Sequence, residues 1–304
     1  MINGIDKPNA QTHFPDKINS TDLCLAPLPD IGKPLFSVPV GSCDTHAHVV
    51  INDPHHPMVA NRSYTPPPAS EDQYLAMLNS TGMSRGVLVQ ISVMGTDNTY
   101  MLEVLRNNPD RLRGVAVVDT DITDRELFQM HESGVRGLRI NALFGGGVSF
   151  DALEKLAPRV EEMGWNMQFL MDARQLPELM PRMRALPCTC VIDHMGHIPM
   201  PVNLNDPGIQ ALFSLVKDNG FWVKLSGAYR MSELHPEFSD VTPLAKALID
   251  LAPDRMVWGS DWPHVAIKRM PDTGHMLNLL STWAPDENVR NQILVENPAA
   301  LYGF

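Results

Sequence analysis

The sequence predicts a (β/α)8 TIM barrel with an extended N-terminal arm. Apolar, strand-like runs alternate with helix-like segments from residue 41 to residue 304, a length that is usual for one such barrel. Polar, ligand-like side chains follow three of these runs, in residues 44–48 (Asp-Thr-His-Ala-His), 193–196 (Asp-His-Met-Gly) and 260–264 (Ser-Asp-Trp-Pro-His). Catalytic groups of a parallel barrel lie at the C-terminal ends of its strands. We therefore expect a functional site built from these motifs at that end.

Eight strands, with helices between them, are predicted along the chain. Each strand candidate is a short apolar run, and the helix candidates show apolar residues at helical spacing. The strand candidates are residues 42–50, 86–92, 112–118, 137–141, 166–171, 189–194, 222–226 and 256–260. The helix candidates include residues 69–80, 99–108, 124–132, 150–163, 176–185 and 207–218.

Residues 1–40 form the predicted arm, and residues 41–304 form the predicted barrel domain. The arm is rich in Pro, Asn and Asp and has no periodicity, so we expect extended chain laid over the body. Residues 65–68 (Thr-Pro-Pro-Pro) cannot be helical and predict a rigid loop over the barrel mouth. Asn297 followed by Pro298 predicts the start of the last helix.

The composition of the chain limits which kinds of molecule the protein is expected to bind. The 304-residue chain has a net charge of −11 and no basic stripe, which argues against nucleic acid. No apolar run is long enough to span a membrane and no apolar signal core is present, so we expect a cytoplasmic monomer or small homo-oligomer. Cys188 and Cys190 share a strand face and are expected to be packed thiols. An anionic substrate would need local arginines acting against the overall negative charge.

Histidines and a carboxylate recur at the predicted strand ends. His46 and His48 are two residues apart on a strand, so their side chains point to the same face. A single strand histidine is more often a packed or hydrogen-bonded core residue. Here His194 and Asp261 follow later strands at equivalent places, which favours a shared centre. Imidazoles at such a centre can bind a metal or donate hydrogen bonds to a developing oxyanion.

Together the three motifs resemble the amidohydrolase superfamily, in particular its lactone-hydrolase branch, which includes the 2-pyrone-4,6-dicarboxylate hydrolases. The resemblance covers residues 42–304 and includes Tyr64, residues 90–98, residues 137–141 and Arg230. It implies hydrolysis of a small carboxylated lactone in aromatic or sugar-acid catabolism, such as a pyrone-dicarboxylate, a muconolactone or a sugar-acid lactone. The substrate contacts are expected from Arg139, Arg230, Tyr64, Ser92 and His264.

The expected catalytic residues are Asp261 and three histidines. Asp261 would be the general base that takes a proton from the attacking water and then passes it to the leaving oxygen. A solvated loop carboxylate is the alternative, but a tryptophan lies close on either side in sequence. Such walls are expected to exclude water and raise the basicity of the carboxylate. His46, His48 and His194 are expected to donate hydrogen bonds to the carbonyl oxygen, each worth about 3 kcal/mol in a desolvated site.

No metal is expected. Two-metal members of the superfamily resemble one another in a lysine or glutamate on strand four and histidines on strands five and six. This chain has Arg139 at the strand-four position and no histidine in residues 166–172. His46, His48 and Asp261 could hold one zinc ion with water as the fourth ligand, and this one-metal site is the alternative. The similar pyrone-dicarboxylate hydrolases imply catalysis without metal.

The two arginines have competing interpretations. Arg139 inside a strand is costly to bury unless it is paired, and Asp172 is a possible partner. A bidentate clamp on a substrate carboxylate is the functional interpretation for Arg139 and Arg230. The pyrone-dicarboxylate hydrolases resemble one another in a further arginine and a tyrosine, where this chain has residues 144–147 (Phe-Gly-Gly-Gly) and Leu170. We therefore expect a flexible loop there, and a lactone with one anionic group or a differently placed one.

Two other functions stay open. One is a metal-dependent decarboxylase of a carboxylated aromatic, although that chemistry usually relies on a strand-five histidine. The other is a barrel that binds an anion without catalysis. Incubation with lactones and with carboxylated phenols separates the first from a lactonase, because ring opening releases a proton and decarboxylation releases carbon dioxide. Asp261→Asn separates the second, because a barrel that only binds has no turnover to lose.

Overall fold

The computed structural model describes residues 23–304 except Gly146, and it confirms the predicted barrel. Eight parallel strands pair in chain order, each with the next, and helices lie between them. All eight strands lie within or overlap the predicted runs. They are β1 Cys43–Ala47, β2 Arg85–Val89, β3 Leu112–Ala116, β4 Val135–Asn141, β5 Asn166–Leu170, β6 Thr189–Ile192, β7 Trp222–Leu225 and β8 Met256–Trp258.

Eleven α-helices surround the strands in the described part of the chain, and short 3-10 turns join several of them. The six predicted helices are confirmed, and the rest follow β7 and β8. The helices are α1 Glu71–Thr81, α2 Thr99–Asn107, α3 Asp124–Glu132, α4 Leu153–Glu162, α5 Leu176–Arg184, α6 Pro207–Asn219, α7 Ala228–Met231, α8 Thr242–Leu251, α9 Thr273–Trp283, α10 Glu287–Asn291 and α11 Asn297–Tyr302.

Helix α4 shows why these segments are helical. Its buried residues are Leu153, Leu156, Ala157 and Val160, at spacings of three and four that place one apolar stripe against the strands. Similar stripes on the other helices join a large buried core between the barrel and its helical ring. Burial of such side chains stabilises the fold by about 1.5–3 kcal/mol each.

Side-chain hydrogen bonds join the first and last strands, which the strand ladder does not pair. Asp44 of β1 accepts hydrogen bonds from the Ser260 amide at 2.7 Å and the Ser260 hydroxyl at 2.6 Å. The Asp261 amide donates to the His46 carbonyl at 2.7 Å. Gly259 permits this approach, because a Cβ there would lie 2.7 Å from the His46 Cβ. The turn after β8 is therefore held directly beside the His46 strand.

Residues 23–40, the described part of the predicted arm, contain no helix or ladder-forming strand. They are tied to the body by single contacts: the Cys24 amide donates to the Thr65 carbonyl at 2.8 Å, and the Gly32 amide donates to Asp272 at 2.8 Å. The first 22 residues of the arm lie outside the described residues. No helix in the described residues is long and apolar enough to cross a membrane. The four cysteines are buried free thiols, as predicted for Cys188 and Cys190.

Helix α11 begins at Asn297, as predicted, but Asn297 does not cap it. A helical segment already runs from Glu287 through a π-helical turn into α11, so Asn297 continues a helix instead of capping one. Its side-chain amide donates to the carbonyls of Pro253 at 2.8 Å and Met256 at 2.7 Å. These bonds attach the C-terminal helix to the start of β8, which accounts for a buried asparagine at this place.

Candidate active site

Four predicted site residues meet at the C-terminal end of the barrel. His46 lies in β1 and His48 directly after it, His194 lies in the 3-10 turn after β6, and Asp261 lies in the turn after β8. All four are buried. His194 has a φ of 51° and Asp261 has a φ of 61°, in the left-handed region that non-glycine residues rarely adopt. Such backbone conformations are concentrated at functional sites.

The four side chains surround a small space without closing on one another. The Nε2 atoms of His46 and His48 lie 3.9 Å and 3.7 Å from Asp261 Oδ1, and the His194 Nε2 lies 3.8 Å from Asp261 Oδ2. These distances exceed those of hydrogen bonds. Among the described residues, His46 Nε2 and Asp261 Oδ1 have no hydrogen-bond partner although both are buried. Unpaired buried polar atoms are costly, so this space suits a bound molecule.

Asp261 is held through its other carboxylate oxygen. Oδ2 accepts a hydrogen bond from the Tyr229 hydroxyl at 2.7 Å and one from Arg230 Nε. Burial alone would raise the pKa of Asp261, but the Arg230 charge and the histidines outweigh burial and hold that pKa well below its usual range. The expectation that flanking tryptophans raise the basicity of this carboxylate is therefore wrong, because it omitted the Arg230 guanidinium.

His48 presents an acceptor to the site. Its Nδ1 lies 2.7 Å from the Val89 carbonyl, which can only accept, so Nδ1 carries the proton. Burial lowers the pKa of His48, which keeps the ring neutral and leaves a lone pair on Nε2. The expectation that all three histidines donate to an oxyanion therefore does not hold for neutral His48. The reason is the carbonyl at the end of β2, which sets its tautomer.

His194 can serve as a donor. Its Nδ1 lies 2.8 Å from the Ser226 hydroxyl, which can either donate or accept. Burial lowers the pKa of His194 to about 3, so the ring is neutral near pH 7. When Ser226 donates to Nδ1, the ring proton lies on Nε2 and points toward Asp261.

His46 contacts a charged group that sequence analysis missed. Its Nδ1 lies 3.0 Å from Lys224 Nζ and 3.4 Å from Asp193 Oδ1. Burial, and then the Lys224 charge, holds the pKa of His46 well below its usual range, so His46 is neutral. Burial lowers the pKa of Lys224 to about 8. Lys224 is therefore largely an ammonium near pH 7.

Arg139 is paired inside the barrel, but not with Asp172. Its Nε and Nη2 lie 3.1 Å and 3.0 Å from Asp193 Oδ2. Asp172 instead begins the 3-10 turn after β5 and binds Arg174. The predicted partner is therefore wrong, because the carboxylate after β6 faces into the barrel and the one after β5 caps a turn.

The remaining predicted substrate contacts, Tyr64, Ser92 and His264, are buried. The Tyr64 hydroxyl lies 3.0 Å from the Ser92 hydroxyl, and its ring meets Phe144 edge-on at 5.6 Å. Burial raises the pKa of Tyr64 to about 12. His264 packs edge-on against Tyr229 at 5.1 Å, next to the Asp261 carboxylate. In the predicted flexible loop of residues 144–147, Gly146 lies outside the described residues, whereas Phe144 packs on Tyr64.

Three functional candidates escaped sequence analysis: Asp193, Lys224 and Tyr229. Lys224 could have been found from sequence, because it is a charged residue within the apolar run 222–226. A lysine in a buried strand is costly unless its ammonium has partners. Asp193 lies inside a motif that sequence analysis singled out for its histidine. Tyr229 follows β7 in helix α7 and has no sequence feature that sets it apart.

Within the described part of the chain, two groups of side chains could hold a metal ion, and both include His46. One is His46, His48 and Asp261, and the other is His46, Asp193 and His194, with ligand atoms within 4.8 Å of one another in each group. The His48 Nε2 lone pair and the unpartnered Asp261 oxygen fit such a role. His46 does not fit it, because a donor-only ammonium faces Nδ1 and the ring proton then lies on Nε2. The positive Arg230 beside Asp261 further disfavours a second cation.

Gly227 supports the His194 ring, and an alanine there should be costly. Its φ is 67°, and a Cβ would lie 2.9 Å from the His194 ring. We expect Gly227→Ala to lower the free energy of unfolding by roughly 2–4 kcal/mol, from left-handed strain plus the clash. Gly220→Ala is the matched control, because Gly220 has a φ of 69° and no atom within 4 Å. The measurement is denaturant unfolding. An equal loss of unfolding free energy in Gly227→Ala and Gly220→Ala would show that the contact with His194 is unimportant.

Residues 43–304 match the amidohydrolase family. The chain is 35% identical to a 4-sulfomuconolactone hydrolase of Hydrogenophaga intermedia, over 92% of this chain and 94% of that protein. It is also 35% identical to a 2-pyrone-4,6-dicarboxylate hydrolase of Comamonas testosteroni, over 89% of this chain and 92% of that protein. A D-galactarolactone isomerase of Agrobacterium fabrum is 28% identical, over 87% of this chain and 91% of the isomerase.

A solved structure of a similar protein also matches most of this chain. It is described as a putative 2-pyrone-4,6-dicarboxylic acid hydrolase from Pseudomonas putida, and it superposes on this chain with a TM-score of 0.78 at 30% identity. The match covers 88% of this chain and 98% of that structure. The barrel and its site therefore lie within the region shared with these proteins.

Proposed function

This chain belongs to the amidohydrolase family, and we propose that it opens a carboxylated lactone by hydrolysis. One observation carries the proposal: an unpartnered acceptor, Asp261 Oδ1, and an unpartnered imidazole nitrogen, His46 Nε2, face one another at 3.9 Å in a buried space. A water molecule and an ester carbonyl need such a base and such a donor. Relatives named as lactone hydrolases support this chemistry.

The attacking water is held by two acceptors. Asp261 Oδ1 accepts one hydrogen of the water and His48 Nε2 accepts the other, since both acceptors border the same space 3.7 Å apart. The water oxygen then attacks the lactone carbonyl carbon while Asp261 takes the proton. A positioned general base of this kind accelerates a reaction by about 10²–10⁴-fold.

Two donors stabilise the carbonyl oxygen as it becomes negative. We assign an Nε2–H group to His46 and, with Ser226 donating to Nδ1, to His194, and both Nε2 atoms face the Asp261 carboxylate. Donors placed before the reaction stabilise a developing oxyanion by about 3 kcal/mol each, because no reorganisation is needed. The bond from the acyl carbon to the ring oxygen then breaks. Asp261 returns its proton to that oxygen, and the product is an open-chain carboxylic acid, which releases its remaining proton to water at neutral pH.

Arg230 links substrate charge to catalysis. Its Nε binds Asp261 and its Nη1 binds the Val265 carbonyl at 3.2 Å, which leaves Nη2 for a substrate carboxylate. A carboxylate bound there competes with Asp261 for the guanidinium, so the basicity of Asp261 rises when substrate is present. Arg139 supplies a second positive group deeper in the barrel. These local charges attract an anion despite the net charge of −11.

We propose that the reaction needs no metal, because His46 offers a proton instead of a lone pair to the site. Treatment with EDTA followed by dialysis is expected to leave lactone hydrolysis unchanged, and metal analysis of the active protein is expected to give well below one zinc equivalent. A complete loss of activity that zinc restores would instead support the one-metal alternative on His46, His48 and Asp261.

A panel of lactones and carboxylated phenols tests the proposed function. Ring opening releases a proton at neutral pH, whereas decarboxylation releases carbon dioxide, so a pH indicator and a carbon dioxide assay separate the two reactions. The expected result is acid release from a carboxylated lactone and no carbon dioxide from any phenol. Binding of lactones without turnover would favour the non-catalytic barrel.

A further inference from the structure

We propose that Lys224 is a positioning residue that fixes which nitrogen of His46 carries the proton. The inference rests on the proposed function for its catalytic meaning, since it makes His46 Nε2 a hydrogen-bond donor to the carbonyl oxygen. Lys224 itself does not border the space in front of Asp261. It acts through the far side of the His46 ring.

The placement of Lys224 calls for an explanation. It lies in β7, and its side chain has 0% exposure, which is rare for a lysine. Its Nζ lies 3.0 Å from His46 Nδ1, 2.5 Å from Gln168 Oε1 and 3.2 Å from Asp193 Oδ1. The ammonium is therefore held by hydrogen bonds to His46 and Gln168 and by an ion pair with Asp193.

The direction of each hydrogen bond follows from the chemistry of the groups. An ammonium has no lone pair, so His46 Nδ1 must accept and the proton of the neutral ring lies on Nε2. Gln168 is oriented independently, because its amide nitrogen donates to Asn166 at 2.8 Å and lies 3.0 Å from the Tyr302 hydroxyl. Its carbonyl oxygen is thereby fixed toward Lys224.

Without Lys224 the partner of His46 changes. Asp193 Oδ1, 3.4 Å from Nδ1, is then the neighbouring group, and a carboxylate only accepts. The ring proton would move to Nδ1, and Nε2 would present a lone pair toward the reacting oxygen. His48 already has that arrangement, because its Nδ1 binds a carbonyl. Lys224 is therefore what makes two histidines of one motif different, one a donor and one an acceptor.

The test is a nitrogen-15 NMR spectrum of the full-length protein labelled at histidine. The two tautomers of a neutral imidazole give distinct nitrogen shifts and couplings to the ring protons, and His46→Asn identifies the signals of His46. We expect Nε2 to be protonated in the unmodified protein and in Lys224→Arg, which is also donor-only. In Lys224→Met we expect the proton on Nδ1. Lys217→Met removes an exposed lysine from α6 and is expected to change neither signal.

Activity gives the second measurement. On a lactone substrate, Lys224→Met is expected to lower kcat on the order of 100-fold with little change in KM, and Lys224→Arg to recover part of it. A His46 proton on Nδ1 in the unmodified protein would overturn the proposal, as would an unchanged tautomer in folded Lys224→Met. If Lys224→Met does not fold, the spectrum of the unmodified protein tests the proposal, because it shows which nitrogen of His46 carries the proton. The spectra need no substrate, so failure of the proposed function is seen separately.

Discussion

Asp261→Asn is expected to lower kcat for lactone hydrolysis by about 10³-fold while the protein stays folded. An amide cannot take the proton of the attacking water. Its nitrogen would face either Arg230 or the histidines, and it has no lone pair with which to accept their hydrogen bonds. Binding of the substrate anion should persist, because Arg230 and Arg139 remain. The measurement is the steady-state rate of acid release, with circular dichroism melting as the check on folding.

Tyr229→Phe is the matched control for Asp261. It removes the hydroxyl that donates to Asp261 Oδ2 at 2.7 Å but keeps the carboxylate and its unpartnered oxygen. A hydrogen bond to a charged carboxylate is worth about 1.5–3 kcal/mol, and the base itself is kept, so we expect a loss of roughly 100-fold at most, smaller than that of Asp261→Asn. If Asp261→Asn retained more than a tenth of the unmodified rate, the Asp261 carboxylate would not be the general base.

Arg230→Met is expected to cost 2–4 kcal/mol in kcat/KM for a carboxylated lactone, which is about 30- to 1000-fold. The cause is the loss of a charge-assisted contact in a closed pocket. A neutral ester of the same lactone should lose a comparable amount with the unmodified enzyme, and little more with the variant. The measurement is kcat/KM for both substrates with both proteins.

The pH profile gives the same substitution a second readout. The positive charge of Arg230 does most to hold the pKa of Asp261 low, so its removal raises that pKa. The acidic limb of kcat/KM should therefore move to higher pH in Arg230→Met. Arg174→Met is the control, since Arg174 pairs with Asp172 away from Asp261. Equal hydrolysis of neutral and anionic lactones would show that Arg139 and Arg230 have only a structural role.

The barrel could be predicted from sequence because its signals are local. Each strand is a short run with apolar residues on both faces, as parallel strands between helices require, and turns or helices interrupt the runs at regular intervals. The convergence of His46, His194 and Asp261 followed from a rule of the fold, that residues after parallel strands meet at one end. The cap expected at Asn297 was wrong, because a capping asparagine and a mid-helix asparagine look alike in sequence.

The electrostatics of the site could not be predicted, because they depend on contacts between distant strands. The pairing of Arg230 with Asp261, and of Arg139 with Asp193, requires the geometry of the closed barrel. The tautomer of His48 depends on a backbone carbonyl, which has no sequence signature. Sequence identifies which groups are present, whereas their charges and proton positions are set by their neighbours in the fold.

Oxygen isotope labelling tests the central claim, that water attacks a lactone carbonyl in this site. An isomerase among the relatives makes the alternative concrete, since rearrangement of a lactone ring consumes no water. The substrate is turned over in water enriched in oxygen-18, and the product is analysed by mass spectrometry. The expected result is an open-chain product with one labelled oxygen in its new carboxylate, formed about 10³-fold more slowly by Asp261→Asn. An unlabelled, isomeric lactone formed by the unmodified protein would contradict it.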